Sequence, residues 1–412
     1  MSTVLRKCVS LGPDGMISPG PGNPQSLHFQ NVPGSYANLI FLAAGGTRWV
    51  KLWVDLFKLW PGENNVDLNM RDQLDYQIAL AKSQGLNVIL TIDHRLPRWI
   101  TGAAAPDPSN QTQMAKYSQL MPRNTDPDGP WAFAFAILAS RYSAANPNRP
   151  WGGLSLVDII EFCNEPNQSM LDSTYNLAGD VAGTVAILFK RARKIVNDLG
   201  GSPIVGGPAT SDLDTTHLPN RRNYFDFTDD VLQRLAGNGF YRVGSDTTCV
   251  WTHHNYTDIS YDQGAGTNAP SSKGPNPYMN GNAQFDRQHL RSAWVRFLLV
   301  QRGWKGFPYG LASDPRLLLT EGGTTRAVLD KEWGAGVPKR LSDADYRVTQ
   351  ALLMARNIIR LGDDTPAGGA GVDMLTNYLQ ITVPEHDSGM FETNLSARSL
   401  FTDVWKPLPG RL

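Results

Sequence analysis

The chain has 412 residues, of which 41% are hydrophobic and 18% are charged, and its 38 basic residues balance 38 acidic ones. This composition can fill a large apolar core and excludes a disordered or fibrous chain. Because the formal net charge is zero, no overall field attracts nucleic acid or an anionic membrane surface. No apolar run approaches the roughly 20 residues of a membrane-spanning helix, so we expect neither kind of partner.

The first residues, MSTVLRKCVSLGPDGM, lack an apolar core of signal-peptide length, but this start does not decide between the cytoplasm and export, and we leave the compartment open. Three cysteines, Cys8, Cys163 and Cys249, are too few for a disulfide framework and lie in strand-like stretches. We predict that all three are buried free thiols.

Strand-like apolar runs alternate with helical patterns along the chain, which is typical of α/β architecture with a parallel sheet. The predicted strands lie within residues 5–12, 47–55, 87–93, 156–162, 203–207, 247–256, 316–323 and 371–380. The predicted helices lie within residues 35–44, 70–84, 131–142, 178–201, 227–236, 289–303, 346–362 and 394–408. Long loops at 95–129 and 257–283 follow the third and sixth strands.

Eight alternations in about 400 residues fit a single (β/α)8 (TIM) barrel domain spanning 1–412, with no linker or repeat to divide it. The competing doubly wound open sheet needs a glycine-rich phosphate loop after its first strand. The stretch SLGPDGMISPGPG has neither of the two phosphate-loop spacings. We therefore predict the barrel, and no cofactor.

Glutamate is rare in this chain, with seven residues against 31 aspartates, and two of the seven follow predicted strands. Glu165 follows the fourth strand and Glu321 ends the seventh, and in such barrels the chemistry lies at the carboxyl ends of the strands. Two carboxylates facing each other there can break a glycosidic bond, one as proton donor and one as nucleophile. A separation of about 5 to 5.5 Å predicts a covalent intermediate and retention of configuration.

Glu161 lies inside the fourth strand and shares its inward face with Glu165 if the pleat is unbroken. We expect a bulge or a local salt bridge to accommodate this buried carboxylate. The remaining glutamates are predicted to be solvated: Glu63, Glu332, Glu385 and Glu392.

Two motifs resemble those of the clan A glycoside hydrolases, in particular families 5 and 39, without assigning a family. The stretch CNEPNQ is similar to the Asn-Glu-Pro ending of strand four in that clan, and LLLTEGG is similar to its strand-seven ending. The resemblance implies that Glu165 is the general acid/base, that Glu321 is the nucleophile, and that Asn164 hydrogen-bonds the sugar 2-hydroxyl. The implied substrate is a carbohydrate joined by a β-type linkage.

The same resemblance implies further substrate-binding residues. His254 and Tyr256 share one face of the sixth strand, and a tyrosine in this position of the clan contacts the nucleophile. His94 resembles a sugar-binding histidine, although a role as an ion-paired supporting residue is equally compatible. Tyr378 replaces the tryptophan that often ends the eighth strand, because any aromatic face can pack on a sugar.

Other positions remain open at this stage. Family 5 members carry an arginine near the nucleophile on strand two, where this chain has Arg48 and Lys51, and Arg48 begins the strand rather than ending it. Several tryptophans are candidate sugar platforms or core residues: Trp99, Trp131, Trp251, Trp304 and Trp333. Of these, Trp251 is the predicted substrate contact.

Two alternative functions remain. The first is a barrel that binds carbohydrate without cutting it. In such a protein the desolvation of Glu165 and Glu321 costs free energy and serves no reaction. The second is a metal-dependent hydrolase using His253, His254 and Asp93. The chain lacks the HxH and HExxH spacings that support a metal site, so we predict none.

Overall fold

A computed structural model of the chain describes residues 6–11, 43, 45–104, 107, 109–117, 119–168, 170, 179–212, 222–236, 248–260, 291–304, 317–325, 342–362, 372–378, 387–391 and 396–408. Eight parallel strands close into a barrel in chain order, which confirms the predicted TIM-barrel fold. The strands are β1 (Arg6–Ser10), β2 (Trp49–Val54), β3 (Asn87–Ile92), β4 (Ile159–Glu161), β5 (Ile204–Ser211), β6 (Cys249–His254), β7 (Leu317–Glu321) and β8 (Val372–Tyr378).

Helices follow the strands in the alternation that the sequence predicts. They are α1 (Leu56–Leu59), α2 (Leu68–Ser83), α3 (Arg98–Thr101), α4 (Gln111–Tyr117), α5 (Pro130–Arg141), α6 (Val181–Asp198), α7 (Tyr224–Ala236), α8 (Tyr256–Ser260), α9 (Arg291–Gln301) and α10 (Asp343–Gly362). A π-helix, Leu400–Trp405, stands where the last helix was predicted. The predicted loop at 95–129 contains α3 and α4, whereas most of the predicted loop at 257–283 and of the helix at 35–44 lies outside the described residues. No described helix is long and apolar enough to cross a membrane.

The barrel interior is layered, with an apolar floor beneath polar side chains. One inward residue from seven of the strands forms the floor: Cys8, Trp49, Ile89, Ile159, Val250, Leu318 and Met374. Two residues further along β2, β3 and β4, alternation brings Lys51, Thr91 and Glu161 inward, and all three are fully buried. The polar layer therefore lies directly under the carboxyl ends of the strands, where a site would form.

The other face of each strand packs against the helices. Along β2, Val50, Leu52 and Val54 belong to the large apolar cluster that the helices complete. On β6, alternation sends Trp251 and His253 outward to this layer and His254 inward. The three cysteines are buried and unpaired, as predicted, and burial raises the pKa of the Cys8 thiol to about 12.

An ion cluster holds the carboxyl end of β3 to that of β2. Arg95 lies with Nε 2.8 Å from Asp93 and a terminal nitrogen 2.8 Å from Asp55, which is the N-cap of α1. The His94 ring nitrogen Nδ1 is 2.8 Å from the other oxygen of Asp93. Burial alone would raise the pKa of Asp93, but His94 and Arg95 outweigh it and lower this pKa to about 2.

The Asp93 cluster predicts a specific loss of stability in acid. A carboxyl whose pKa is depressed by folding contributes stability above its unfolded pKa of 3.8, and this contribution is lost as the pH falls toward 2. The free energy of unfolding should therefore fall by about 2 kcal/mol from this group between pH 5 and pH 2. Urea unfolding across this range measures the fall, and Asp93→Asn should lack this component. An equal acid slope in both proteins would contradict the assignment.

Candidate active site

The two glutamates that follow strands β4 and β7 lie together at the carboxyl end of the barrel. One carboxylate oxygen of Glu165, one of Glu321 and one ring nitrogen of His254 all lie within 4.8 Å of one another. Glu321 is buried, whereas the Glu165 side chain is 18% exposed. The two carboxylates thus share one small space and differ in their access to solvent.

A bulge in β7 turns Glu321 into the barrel. Leu318 belongs to the interior floor, so strict alternation would place Thr320 inward and Glu321 outward. In the pairing with β6, His253 lies opposite Leu319 and His254 lies opposite Glu321, so Thr320 is the extra residue of the bulge. Both Thr320 and Glu321 consequently reach inward contacts, as bulges beside functional sites often allow.

The backbone at Glu165 adopts a left-handed conformation, with φ of 42°. Its N–H donates to the carbonyl of Ala209 at 3.1 Å, and Ala209 is itself left-handed, with φ of 51°, at an irregularity between Pro208 and Thr210 of β5. Residues with a β-carbon avoid this region at a cost of about 1–2 kcal/mol each. The surrounding fold therefore imposes this geometry on the loop that carries Glu165.

Lys51 of β2 lies at the centre of the group. Its ammonium nitrogen is 2.7 Å from Glu321 Oε1 and 3.0 Å from Glu161 Oε2, and it lies 4.6 Å from the centroid of the Trp53 ring. Burial opposes its charge, but the two carboxylates outweigh burial and raise the pKa of Lys51. Lys51 is therefore a cation with no exposed surface.

The salt bridge with Lys51 stabilises the buried carboxylate of Glu161. Thr91 and Thr320 donate hydroxyl hydrogen bonds to its two oxygens at 2.5 and 2.7 Å. Burial would raise the pKa of Glu161, but the charge of Lys51 and these two hydroxyl donors hold it below its usual value. Glu161 is accordingly an ionised carboxylate beneath the site, held by a salt bridge in a regular strand.

The contacts of His254 fix its tautomer. Its Nε2 lies 3.3 Å from the Lys51 ammonium, which can only donate, so Nε2 accepts and the proton resides on Nδ1. That N–H donates to Glu165 Oε1 at 2.8 Å. Burial alone would raise the pKa of Glu165, but the interaction with His254 outweighs it and holds this pKa below its usual value.

Aromatic residues line one side of the two carboxylates. The Tyr256 hydroxyl donates to Glu321 Oε2 at 2.5 Å, and burial and the charge of Glu321 raise the Tyr256 pKa well above its ordinary value. The Tyr256 ring meets Tyr378 edge to face at 5.8 Å, and Tyr378 packs with Trp53. Tyr256 is thus a fixed donor to Glu321, and the three rings form an apolar wall beside it.

Asn164 and His94, two further predicted substrate-binding residues, lie at the same end of the barrel as the two carboxylates. Asn164 is buried beside Glu165, and its Oδ1 has no hydrogen-bond partner among the described residues. His94 lies at the same end of the barrel, where its ring is engaged with Asp93 and its side chain is 26% exposed. This arrangement matches the supporting role that the sequence left open for His94.

Trp251 does not reach the site, so its prediction as a substrate contact is wrong. It points outward from β6, is fully buried, and packs edge to face on Trp304 with centroids 5.2 Å apart. Trp131 and Trp304 are likewise core residues. Trp99 is half-buried and donates to the carbonyl of Trp60, and Trp333 lies outside the described residues.

The metal site predicted as an alternative, from His253, His254 and Asp93, is not assembled. His253 points outward, bonds Thr210 through Nδ1 at 2.9 Å, and has its pKa lowered well below the usual value by burial. A different set, Glu165, His254 and Glu321, has the spacing of three metal ligands. The Lys51 ammonium already occupies the cation position beside Glu321 and His254 and opposes a second cation there.

Two residues of the group were not assigned from the sequence, Lys51 and Trp53. Trp49, Lys51 and Trp53 follow one another at intervals of two along β2, so all three lie on the same face of the strand. Trp49 belongs to the barrel floor, and this face is therefore the inward one. A lysine on the inward face of a buried strand needs a carboxylate partner, which was the available signal. Arg48, the other basic candidate, bonds the carbonyls of Ala43 and Thr47 at the opposite end of the strand.

Comparison with known proteins supports the fold but gives no close relative. No protein-family model matches the chain, and no curated protein sequence matches it. Among solved structures, it is similar to the GH5-4 broad specificity endoglucanase from Clostridium acetobutylicum, with a TM-score of 0.56, 13% identity and 100% of each chain covered.

Two further solved structures show the same likeness. The endo-beta-1,4-glucanase Xac0029 from Xanthomonas axonopodis pv. citri has a TM-score of 0.53 and 12% identity, with 98% of each chain covered. A family 39 glycoside hydrolase from Bacteroides cellulosilyticus WH2 has a TM-score of 0.51 and 12% identity, covering 99% of this chain and 64% of that one. At such identities these likenesses show the barrel fold alone.

Proposed function

We propose that this chain is a retaining glycoside hydrolase that cleaves a β-type linkage, with Glu165 as general acid/base and Glu321 as nucleophile. The observation that carries the proposal is the separation of at most 4.8 Å between a carboxylate oxygen of Glu165 and one of Glu321. This spacing is shorter than the roughly 6.5–9.5 Å that an inverting enzyme needs to place an attacking water beside the sugar, and it favours direct attack by one carboxylate. Endoglucanases among the structural neighbours support a β-linked carbohydrate as substrate.

The environments of the two carboxylates favour this division of roles. Glu321 is buried and accepts hydrogen bonds from Lys51 and Tyr256, which hold its two oxygens in fixed positions for attack. Glu165 is partly exposed and in contact with a single ring nitrogen, His254 Nδ1, as well as partners that include Ser211. A group at the mouth of the site can exchange protons with solvent, as an acid/base must in each turnover.

In the first step, an oxygen of Glu321 attacks the anomeric carbon while the bond to the leaving oxygen breaks and Glu165 transfers its proton to that oxygen. In the second step, Glu165 takes a proton from water, the water oxygen bonds to the anomeric carbon, and Glu321 leaves as a carboxylate. In this proposal Asn164, whose Oδ1 has no hydrogen-bond partner among the described residues, accepts a hydrogen bond from a sugar hydroxyl, and Tyr378 and Trp53 offer aromatic faces.

A non-catalytic carbohydrate-binding barrel is disfavoured by the cost of the site. Keeping Glu321 and Glu161 buried and ionised around Lys51 is expensive and adds nothing to passive sugar binding.

The first test is activity and stereochemistry of the wild-type protein. On a panel of aryl α- and β-glycosides, we expect turnover of β-glycosides and a β-anomer as the first-formed product in proton NMR spectra. An α-anomer formed first would contradict retention, and turnover that chelator abolishes would indicate a metal-dependent reaction instead.

Alanine variants separate the two roles. Glu321→Ala should lose at least about 10⁴-fold in kcat because no covalent intermediate can form. Glu165→Ala should keep partial activity on aryl glycosides with good leaving groups, which need no proton, and azide should restore part of the rest. The exposed Glu63→Ala provides the control and should match wild type. Equal losses that azide does not relieve would contradict these roles.

The pH profile tests the contact between His254 and Glu165. Glu165 must be protonated to act as an acid, so kcat/KM falls as the pH rises through the pKa of this group in the free enzyme. Burial raises this pKa, but His254 outweighs burial and lowers it, so kcat/KM of the wild type should already decline with rising pH in the acidic range. His254→Phe removes the donor and should move this decline to higher pH, although overall activity falls. A decline that stays in place would remove His254 from this role.

A further inference from the structure

We infer that Glu161 is a positioning residue for the reaction: it is the permanent counter-ion that keeps the Lys51 charge balanced when Glu321 becomes a neutral ester. This inference rests on the proposed function, because it concerns the covalent step at Glu321. Glu161 itself does not touch the substrate, since it lies one layer below Glu321 and is fully buried.

The geometry divides one ammonium between two carboxylates. Lys51 Nζ is 3.0 Å from Glu161 and 2.7 Å from Glu321, and no solvent reaches Lys51 or Glu161. Thr91 and Thr320 complete the hydrogen bonds of Glu161, so its position does not depend on Glu321. Glu161 therefore stays paired with Lys51 whatever happens to the carboxylate above it.

The charge balance changes in the covalent step. Before attack, two carboxylates and one ammonium carry one net negative charge, and His254, whose Nε2 accepts from Lys51, adds none. When Glu321 forms a bond to the anomeric carbon, the electron pair of the breaking bond ends on the aglycone oxygen, which takes the proton of Glu165. The negative charge lost at Glu321 therefore reappears on Glu165, at the mouth of the site. The remaining pair of Lys51 and Glu161 is then neutral.

Without the charge of Glu161, the same step would end in an unpaired buried cation. Lys51 and Glu321 would form a neutral pair in the resting enzyme. Esterification would leave Lys51, which solvent does not reach, without a carboxylate in contact, because the new negative charge lies on Glu165. Breaking one side of a buried ion pair is strongly unfavourable. Glu161 thus lowers the barrier to forming the covalent intermediate and leaves Glu321 less tightly neutralised before it attacks.

The other titratable groups around Glu161 do not replace it. Besides Lys51, they are His254 from β6, Cys8 from β1 and Cys163 after β4. The charge of Glu161 acts with burial to raise the pKa of both thiols, so both stay neutral. Among the described residues in contact with Lys51, Glu161 is the carboxylate that the reaction does not consume.

The test compares Glu161→Gln, which keeps the size and hydrogen-bonding capacity of the side chain, with wild type on a dinitrophenyl β-glycoside. Pre-steady-state kinetics separate formation of the covalent intermediate from its hydrolysis. We expect formation to slow by at least about 100-fold and hydrolysis to be unchanged or faster, because hydrolysis restores the charge of Glu321. Glu161→Asp, which restores the charge, should recover at least about tenfold.

Asp75→Asn is the matched control, because Asp75 is another buried carboxylate in an ion pair, with Arg141, in the helical layer. Thermal unfolding of each variant corrects for loss of folded protein, and Asp75→Asn should leave both rate constants unchanged. Equal slowing of both steps in Glu161→Gln, or a loss of less than threefold, would overturn the inference while leaving the glycosidase reaction in place.

A measurement that needs no turnover separates failure of the inference from failure of the proposed function. The chain has seven glutamates, so a spectrum of protein labelled at glutamate Cδ contains seven carboxyl signals, and Glu161→Gln assigns one of them. Glu161 should be ionised at neutral pH and remain so below the usual range of a glutamate. A protonated Glu161 overturns the inference directly. Absence of glycosidase turnover in wild type removes the proposed function, and the inference with it.

Discussion

The organisation of the carboxyl end of this barrel depends on the ion pairs of the buried Lys51 ammonium with Glu161 and Glu321. A charge without solvent is tolerated only with close opposite charges and donors or acceptors around it. Glu161 and Glu321 supply those charges from β4 and β7, neither of which is a neighbour of β2 in the barrel. The cation therefore joins three strands that are not neighbours and fixes the height of the polar layer above the apolar floor.

The same ammonium sets the state of the groups around it. Because Lys51 can only donate, it determines which nitrogen of His254 carries the proton, and that proton is directed at Glu165. Lys51 and Tyr256 both donate to Glu321. A single buried cation thus acts on both candidate catalytic carboxylates, directly on one and through an imidazole on the other.

Local strain accompanies this arrangement. Two of the three non-glycine residues with left-handed backbone among the described residues, Glu165 and Ala209, are hydrogen-bonded neighbours, and β7 carries a bulge where Glu321 turns inward. Each departs from regular strand geometry at the carboxyl end of the barrel. The surrounding barrel supplies the stability that holds these strained residues in place.

Periodicity in the sequence was sufficient to predict eight strands, the closed parallel barrel and the placement of Glu165 and Glu321 at strand ends, because those depend on apolar patterns within short segments. The predicted fourth strand shortened to Ile159–Glu161 and the fifth extended to Ser211, since pairing decides where a strand ends. The outward direction of Trp251 and His253 also follows from strand alternation, once the floor shows which residues face inward.

What the sequence determined by itself is the set of chemical groups and the strand end at which each group lies. Only the tertiary structure decided which of them meet: Lys51 with Glu161 and Glu321, His254 with Glu165, and Tyr256 with Glu321. These contacts join residues far apart in the chain, and they depend on barrel closure and on the β7 bulge. The eight alternations predicted closure, but the register of the strands and the bulge leave no mark in local periodicity, because both are set by how whole strands pair.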